Sequence, residues 1–380
     1  MEQLELIPAE EAEQIQSIID STMKQMQRRY PEGQTVKRGV HPKDHGCVSA
    51  TFKVDGNLPE GLRVGVFKTP GQEFGAWIRF SNAAPRIEID DSPLQAGPTP
   101  IPPRIHGSRG MALKLMGVSG DPLLEPSGPL TQDFLMVNHP VFPFANVEDY
   151  EVLSTILANK DNKNDDAKAF FRRLKFEADG KTPDMIDPVS RRAWITRRII
   201  GRIQSPGEPP LSYQHPPKSP VDNRYFSGSP FLFGQERVMK FSATPESPEA
   251  GNPADLEDPV YLRKALHERL TAPGAMSIHF QFQVQLRSVE EVSTKIEDIE
   301  NASSEWDQTA HPFLTVARIT IPPQDFLTEE RRDFGESLVF SPWHGVAEHR
   351  PLGGINRLRR AVYEASAAMR HVPKEPAHTR

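Results

Sequence analysis

The sequence predicts an α+β fold, an eight-stranded antiparallel β-barrel with surrounding α-helices. Three observations lead there. Eight short stretches carry a two-residue hydrophobic period, helical periodicity is confined to the middle and the two ends, and strands do not alternate with helices as they do in a parallel sheet. The 380 residues are enough to bury a substantial core within one such unit.

The elements follow in order. Residues 9–29 run from acidic to basic and place Ile15, Ile18, Ile19, Met23 and Met26 at helical spacing, which predicts an N-terminal helix. The period then becomes two over 47–55, 62–67, 74–82, 109–116 and 132–138, five strands parted by Gly, Pro and Asn turns. An inserted helical layer occupies 147–204, with helices over 147–159, 165–176 and 188–203. Prolines at 206, 209, 210, 216, 217 and 220 make 205–220 a rigid, extended connector. Strand signals return at 236–242, 275–287 and 314–321. In the second of these Ile278, Phe280, Phe282, Val284 and Leu286 alternate with His279, Gln281, Gln283 and Gln285. Helices over 258–270 and 353–370 complete the set. The pattern divides the chain into an N-terminal helix and arm (1–36) and a barrel (37–380) that carries the insertion and a C-terminal helix (353–371).

Composition excludes several function classes. A net charge of −6 gives no general attraction to nucleic acid or to an anionic membrane. A single cysteine, Cys47, rules out a disulfide framework and a multi-cysteine zinc site, and we read it as a small structural side chain. The N-terminus lacks the basic start and apolar run of a secretory signal, and no stretch approaches the ~20 apolar residues of a membrane span, so the expectation is a cytoplasmic protein. Hydrolase, nucleotidase and zinc-protease readings lack a starting point, because Gly-x-Ser-x-Gly, Walker and His-Glu-x-x-His patterns are absent from the sequence.

Chemistry-bearing residues fall in a few patches. On the last helix Arg359, Tyr363 and Arg370 are offset by four and eleven residues, which puts them within about 40° on one face. A phenol flanked by guanidinium groups is biased toward the phenolate, a hard anionic donor for ferric iron. By itself such a pair is an ordinary surface contact. The second patch is Arg38-Gly-Val-His41, where an imidazole at the mouth of a strand can exchange a proton near neutral pH. The third is Arg79-Phe-Ser81, where Ser81 can hydrogen-bond an imidazole and Arg79 can pair with a carboxylate. His344 and His349 match no common metal-ligand spacing and read as loop residues that position Trp343. Aromatics around Phe340 and in Phe231-Leu-Phe-Gly can wall a flat ligand or can be plain core.

Taken in order, these patches together with Arg109-Gly-Met-Ala-Leu-Lys114 and the block Asp133-Phe-Leu-Met-Val-Asn-His-Pro-Val-Phe142 resemble the motifs of the catalase superfamily, in particular its short, catalase-related heme peroxidases. The resemblance runs from Arg38 to Arg370. It implies ferric heme b as cofactor, Tyr363 as proximal iron ligand supported by Arg359, His41 as distal acid/base and Ser81 as its orienter. It further implies that Arg38, Arg79 and Arg370 bind the heme propionates and that Val40 roofs the distal side. The distal asparagine of the family falls on Val137, with Asn138 one residue further along, and Asn138 is the candidate polar helper. After Tyr363 the family's Asp-Thr and His-Arg are replaced by Glu-Ala-Ser-Ala-Ala-Met before Arg370. The expected activity is reduction of hydrogen peroxide or organic hydroperoxides by an unidentified reductant, with at most weak catalase activity and with a homo-oligomer possible. Two alternatives stay open: a fatty-acid hydroperoxide lyase or isomerase, and a non-catalytic heme carrier or sensor.

Overall fold

The computed structural model describes residues 4–83, 92–93, 104–105, 107–125, 128–158, 176–180, 182, 184, 187, 190–191, 193–195, 218–249, 255 and 258–370. Most of the helices expected at 165–176 and 188–203, and the connector at 205–217, lie outside the described residues.

The strands are β1 (Asp44–Val54), β2 (Glu73–Asn82), β3 (Ser92–Pro93), β4 (Arg104–Ile105), β5 (Arg109–Met116), β6 (Thr131–Val137), β7 (Tyr225–Phe226), β8 (Phe231–Phe233), β9 (Arg237–Pro245), β10 (Ile278–Ser288) and β11 (Phe313–Ile321). Eight of them close on themselves in the order β10-β11-β1-β2-β5-β6-β7-β9, with β9 pairing back to β10, and all their pairings are antiparallel. Strand β8 hangs on β9 as a short flap, and β3 pairs with β4 apart from the barrel. The expected architecture is present.

Its membership differs in one place from the expectation. Residues 62–67, read as a strand, form two short 3-10 turns, Glu60–Leu62 and Gly65–Phe67. The alternation of Leu62, Val64 and Val66 imitates a strand, but Gly65 adopts φ 54° and the amide of Val66 donates to Nε2 of the buried His349. The segment caps one end of the barrel and drives Phe67 into its interior, 6.3 Å from Phe52 and 6.4 Å from Phe134. The eighth strand is instead β7, whose two residues are too short to show a period.

The barrel is filled. Inward-facing Phe52, Phe134, Phe241 and Phe282 form one aromatic cluster, with Phe134 and Phe282 rings 4.7 Å apart and Phe134 and Phe241 rings 5.0 Å apart and edge-on. Phe231 and Phe233 belong to this core as well. Among the described residues these side chains fill the interior, as eight-stranded barrels allow.

Helices cover the barrel's outer face. They are α1 (Glu11–Arg29), α2 (Val147–Ala158), α3 (Tyr261–Thr271), α4 (Val289–Ser293), α5 (Glu297–Glu300), α6 (Glu329–Ser337) and α7 (Gly354–Met369). None of the helices among the described residues is long and apolar enough to cross a membrane. Ile355, Leu358 and Val362 on α7 share one face and pack with Ile18 of α1 and with Val147 and Leu153 of α2. The start of α7 is pinned electrostatically. Arg357 donates to Glu11 at 2.6 and 2.7 Å, to Glu5 at 2.6 Å and to Glu300 at 2.9 and 3.2 Å. Glu5 and Glu300 also accept the amides of Gly353 and Gly354 at 2.9 Å, which places carboxylates at the positive end of the helix.

Replacing Arg357 with Ala leaves three neighbouring carboxylates without their shared cation. We expect the variant to lose roughly 3 kcal/mol or more of folding stability. Chemical denaturation of the full chain reads this directly.

Candidate functional site

The site begins where β1 meets the loop that precedes it. His41 has φ 54°, a left-handed conformation uncommon for a residue with a side chain, and this turns its ring back over the barrel wall. Nδ1 of His41 is 2.9 Å from Oγ of Ser81, and the carbonyl of His41 accepts from Nη1 of Arg79 at 2.9 Å. Ser81 pairs with Gly110 across β2 and β5, and Gly110 pairs with Val137 across β5 and β6. The three residues form one row, and the imidazole lies over its middle. A Cβ on Gly110 would stand 2.5 Å from two atoms of the His41 ring and 2.9 Å from Ser81 Oγ, so only glycine leaves room for the ring.

A cavity of about 760 Å³ opens beside this row. His41, Ser81, Arg38, Val40, Arg79, Arg359, Tyr363 and Arg370 all line it. Eight of the nine residues singled out in the sequence therefore meet at one place. The ninth, Asn138, does not line the cavity. Its Oδ1 accepts the backbone amide of Arg109 at 2.7 Å and its Nδ2 reaches Asn223 at 3.5 Å, while Val137 takes the place on the wall. On a strand the next residue points to the other face, and β6 keeps its regular register against β5.

The α7 side of the cavity is built from one helix face. Arg359 lies with its guanidinium carbon 5.7 Å from the ring centres of both Tyr363 and Phe142, and it donates to Oδ1 of the buried Asn356 at 3.1 Å. Asn356 in turn donates to the carbonyls of Pro230 and Leu352 and accepts from Ser229. The nearby Nε1 of Trp343 donates to the Asn356 carbonyl at 2.8 Å. The face that carries the phenol is thus fixed to the β8 region of the barrel.

Positive charge dominates the electrostatics. Burial pushes His41 down to about 3, helped by Arg79, Arg359, Arg38 and His139. The ring is therefore neutral across the physiological range. Burial likewise lowers Arg38 well below its ordinary value, with Arg79 adding to the effect and Glu336 opposing it. Arg370 falls to about 10, by burial and the nearby Arg79 against the pull of Glu336. Two buried guanidinium nitrogens, Nη2 of Arg79 and Nε of Arg370, have no hydrogen-bond partner. Unpartnered buried donors in a cavity wall are what an anionic ligand satisfies.

Phe340 lines the cavity. His344 contacts the buried Asp133 at 3.0 Å, and His349 is buried against Phe67 and Phe233 at the capped end of the barrel rather than lying in a loop. Cys47 is buried and its thiol is pushed up to about 12 by burial, as befits an unreactive side chain. Two functional positions escaped the sequence. Gly110 was visible as part of a motif but its contact with His41 was not, and Glu336, which pairs with Arg38 at 2.9 Å, sits in the plainly charged helix α6.

No protein-family model and no curated protein matches the sequence. Solved structures do resemble the chain. The crystal structure of a fungal catalase superposes with a TM-score of 0.60 at 14% identity, covering 90% of this chain and 60% of the catalase. A bacterial catalase gives 0.55 at 15% identity, covering 94% and 61%. Catalase A from Saccharomyces cerevisiae gives 0.60 at 14% identity, covering 90% and 62%. The chain thus spans about three fifths of the length of the catalases it matches. At such identities the likeness extends to the fold alone: this chain has a catalase-like fold.

Proposed function

We propose that the chain is a heme-dependent oxidoreductase that reduces hydroperoxides, acting as a peroxidase with little catalase activity. One observation carries the reading: the cavity that holds an imidazole and a phenol is also lined by Arg79 and Arg370, each of which keeps a buried guanidinium nitrogen without a hydrogen-bond partner. Those donors fit the two carboxylates of heme b. Tyr363 would hold the iron, with the Arg359 guanidinium 5.7 Å from the centre of its ring, and Arg79 and Arg370 would bind the propionates. Bound there, ferric heme b would supply the redox centre at which a peroxide O–O bond is broken.

The protein's own part is proton handling and selection. With Nδ1 as donor to Ser81, Nε2 of His41 carries the lone pair, and its neutral state lets it accept the hydroperoxide proton and return it to the leaving oxygen. Ser81 and the Arg79 bond to the His41 carbonyl hold that ring still. Next in the row stands Val137, so no amide faces the imidazole to hold a second polar atom of a small peroxide. An apolar wall of Val40, Val137, Phe142 and Phe340 suits an organic hydroperoxide better than hydrogen peroxide. The same wall is compatible with rearrangement of fatty-acid hydroperoxides, which product analysis separates from reduction by a donor.

The first test is the absorption spectrum of the heme-reconstituted chain beside two variants. Tyr363→Phe is expected to lose the high-spin ferric tyrosinate spectrum, and His41→Ala to keep it while turnover of an alkyl hydroperoxide falls roughly 10²–10⁴-fold. A parent protein that stays colourless with excess hemin ends this proposal.

Gly110→Ala is expected to retain heme yet lose about 10²-fold in turnover, since its methyl group displaces the imidazole by the order of an ångström. Heme content and steady-state rate, measured on the same sample, check this. Val137→Asn is expected to shift preference toward hydrogen peroxide over cumene hydroperoxide, by about tenfold in the ratio of kcat/KM values.

A further inference from the structure

At one end of the cavity three guanidinium groups converge on the last turn of α6. Arg38 makes three hydrogen bonds there: Nη1 donates to Oε2 of Glu336 at 2.9 Å, and Nη2 donates to the carbonyls of Gly335 at 3.1 Å and Leu338 at 2.6 Å. Arg370 donates through Nη1 to the carbonyl of Glu336 at 2.8 Å and keeps Nε unpartnered. The unpartnered Nη2 of Arg79 stands 3.7 Å from Oε1 of Glu336, just beyond hydrogen-bond reach. Glu336 is therefore the one carboxylate paired with this cluster among the described residues.

Its location is otherwise unfavourable. A carboxylate in the last turn of a helix faces the negative end of the helix dipole, and α6 has no basic residue there to offset it. What holds Glu336 is the arginine cluster across the interface. Its side chain is nevertheless 31% exposed, so it can turn toward water when something else claims the arginines. Three cations against one ion-paired carboxylate leave an excess of positive charge, which Asp44, shared with Arg263, offsets only in part and which a dicarboxylic ligand would complement.

We propose that Glu336 is an internal stand-in for a ligand carboxylate: it supports the arginine cluster in the ligand-free protein and competes with the incoming acid for Arg79. The inference rests on the proposed function only for the identity of the ligand as a porphyrin with two carboxylates. It also reassigns Arg38. That residue positions α6 and Glu336, and the ligand's acid groups are met by Arg79 and Arg370.

The two states of the protein respond oppositely to loss of the Glu336 charge. Without ligand, two buried guanidinium groups and the half-buried Arg370 lose their counter-ion and the protein becomes less stable. With a dianion bound, a competitor is gone and a further positive charge attracts it. A role limited to stapling α6 weakens both states together.

The experiment uses the full chain and Glu336→Gln. Each is melted without ligand, loaded with iron-free protoporphyrin IX or hemin, and followed by fluorescence or absorbance during transfer to excess apomyoglobin. The variant is expected to melt lower without ligand and to release both porphyrins about tenfold more slowly, one additional charge being worth that much in a partly screened site. Protoporphyrin dimethyl ester, which lacks the charges, is expected to leave both proteins equally fast. Diacid release from Glu336→Gln that is as fast as from the parent, or faster, overturns the inference. Should Glu336→Gln fail to fold, Glu336→Asp keeps the charge but withdraws it from Arg79, and its diacid release is expected to slow by a smaller factor; an unchanged rate there also overturns it. If diacid release follows Glu336 while hemin shows no Tyr363-dependent spectrum, the stand-in role survives and the proposed function falls. A parent protein that binds neither porphyrin removes both.

Discussion

Four guanidinium groups around one cavity, three of them buried and Arg370 half-buried, with Glu336 the one carboxylate ion-paired to them among the described residues, are the constraint from which the site's properties follow. Bringing each charge out of water costs several kcal/mol unless partners replace the lost hydration. Here the replacement is incomplete, since Arg79 and Arg370 each retain an unpartnered nitrogen. The consequence is a positive field in the pocket. Burial first, and then this field, lowers the proton affinity of Arg38, Arg370 and His41, because each of these groups would carry its proton away from water and beside another cation. A neutral imidazole and an unmet demand for anionic ligands are two results of one charge distribution.

Such a pocket needs a rigid frame, because the cations would relax into water if the wall could open. The barrel supplies one face of it through hydrogen-bonded ladders: Ser81, Gly110 and Val137 are neighbours by strand register, not by side-chain packing alone. The helix supplies the other. α7 is fastened at its start by Arg357 and its three carboxylates, and along its length by the buried Asn356, which joins Arg359 to the loop before β8. Tyr363 and His41 come from elements more than three hundred residues apart in the chain, and their common cavity depends on these two fastenings holding together.

Much of this was legible in the sequence. Strands such as β5 and β10 declare themselves through alternation, and the shared face of Arg359, Tyr363 and Arg370 follows from helix geometry alone. The failures have physical causes. Residues 62–67 have strand-like alternation but no strand beside them to accept their hydrogen bonds, and Gly65 lets the chain turn instead. β7 is a strand only because β6 and β9 flank it. Helix α6 buries little besides Gly335, so it carries no hydrophobic stripe, and Glu336 looks like one more solvated acid following Glu-Glu-Arg-Arg-Asp. The contact that singles it out spans 298 residues and cannot be read from local pattern.

The exchange of Asn138 for Val137 shows how the core governs the chemistry. Strand parity fixes alternate residues of β6 to opposite faces: Phe134 and Met136 point into the barrel core, and Leu135 packs outside with Phe340 and Tyr363. Val137 follows Leu135 outward, and Asn138 follows Met136. Bringing Asn138 to the imidazole requires a one-residue slip of β6, which would turn Phe134 out of contact with Phe282 and Phe241. Removing a buried phenylalanine from a packed core costs about 3–5 kcal/mol, more than one side-chain hydrogen bond returns. The residue that faces His41 is thus set by the aromatic packing on the far side of the sheet, and the apolar character of that wall cannot change by a local adjustment of the loop.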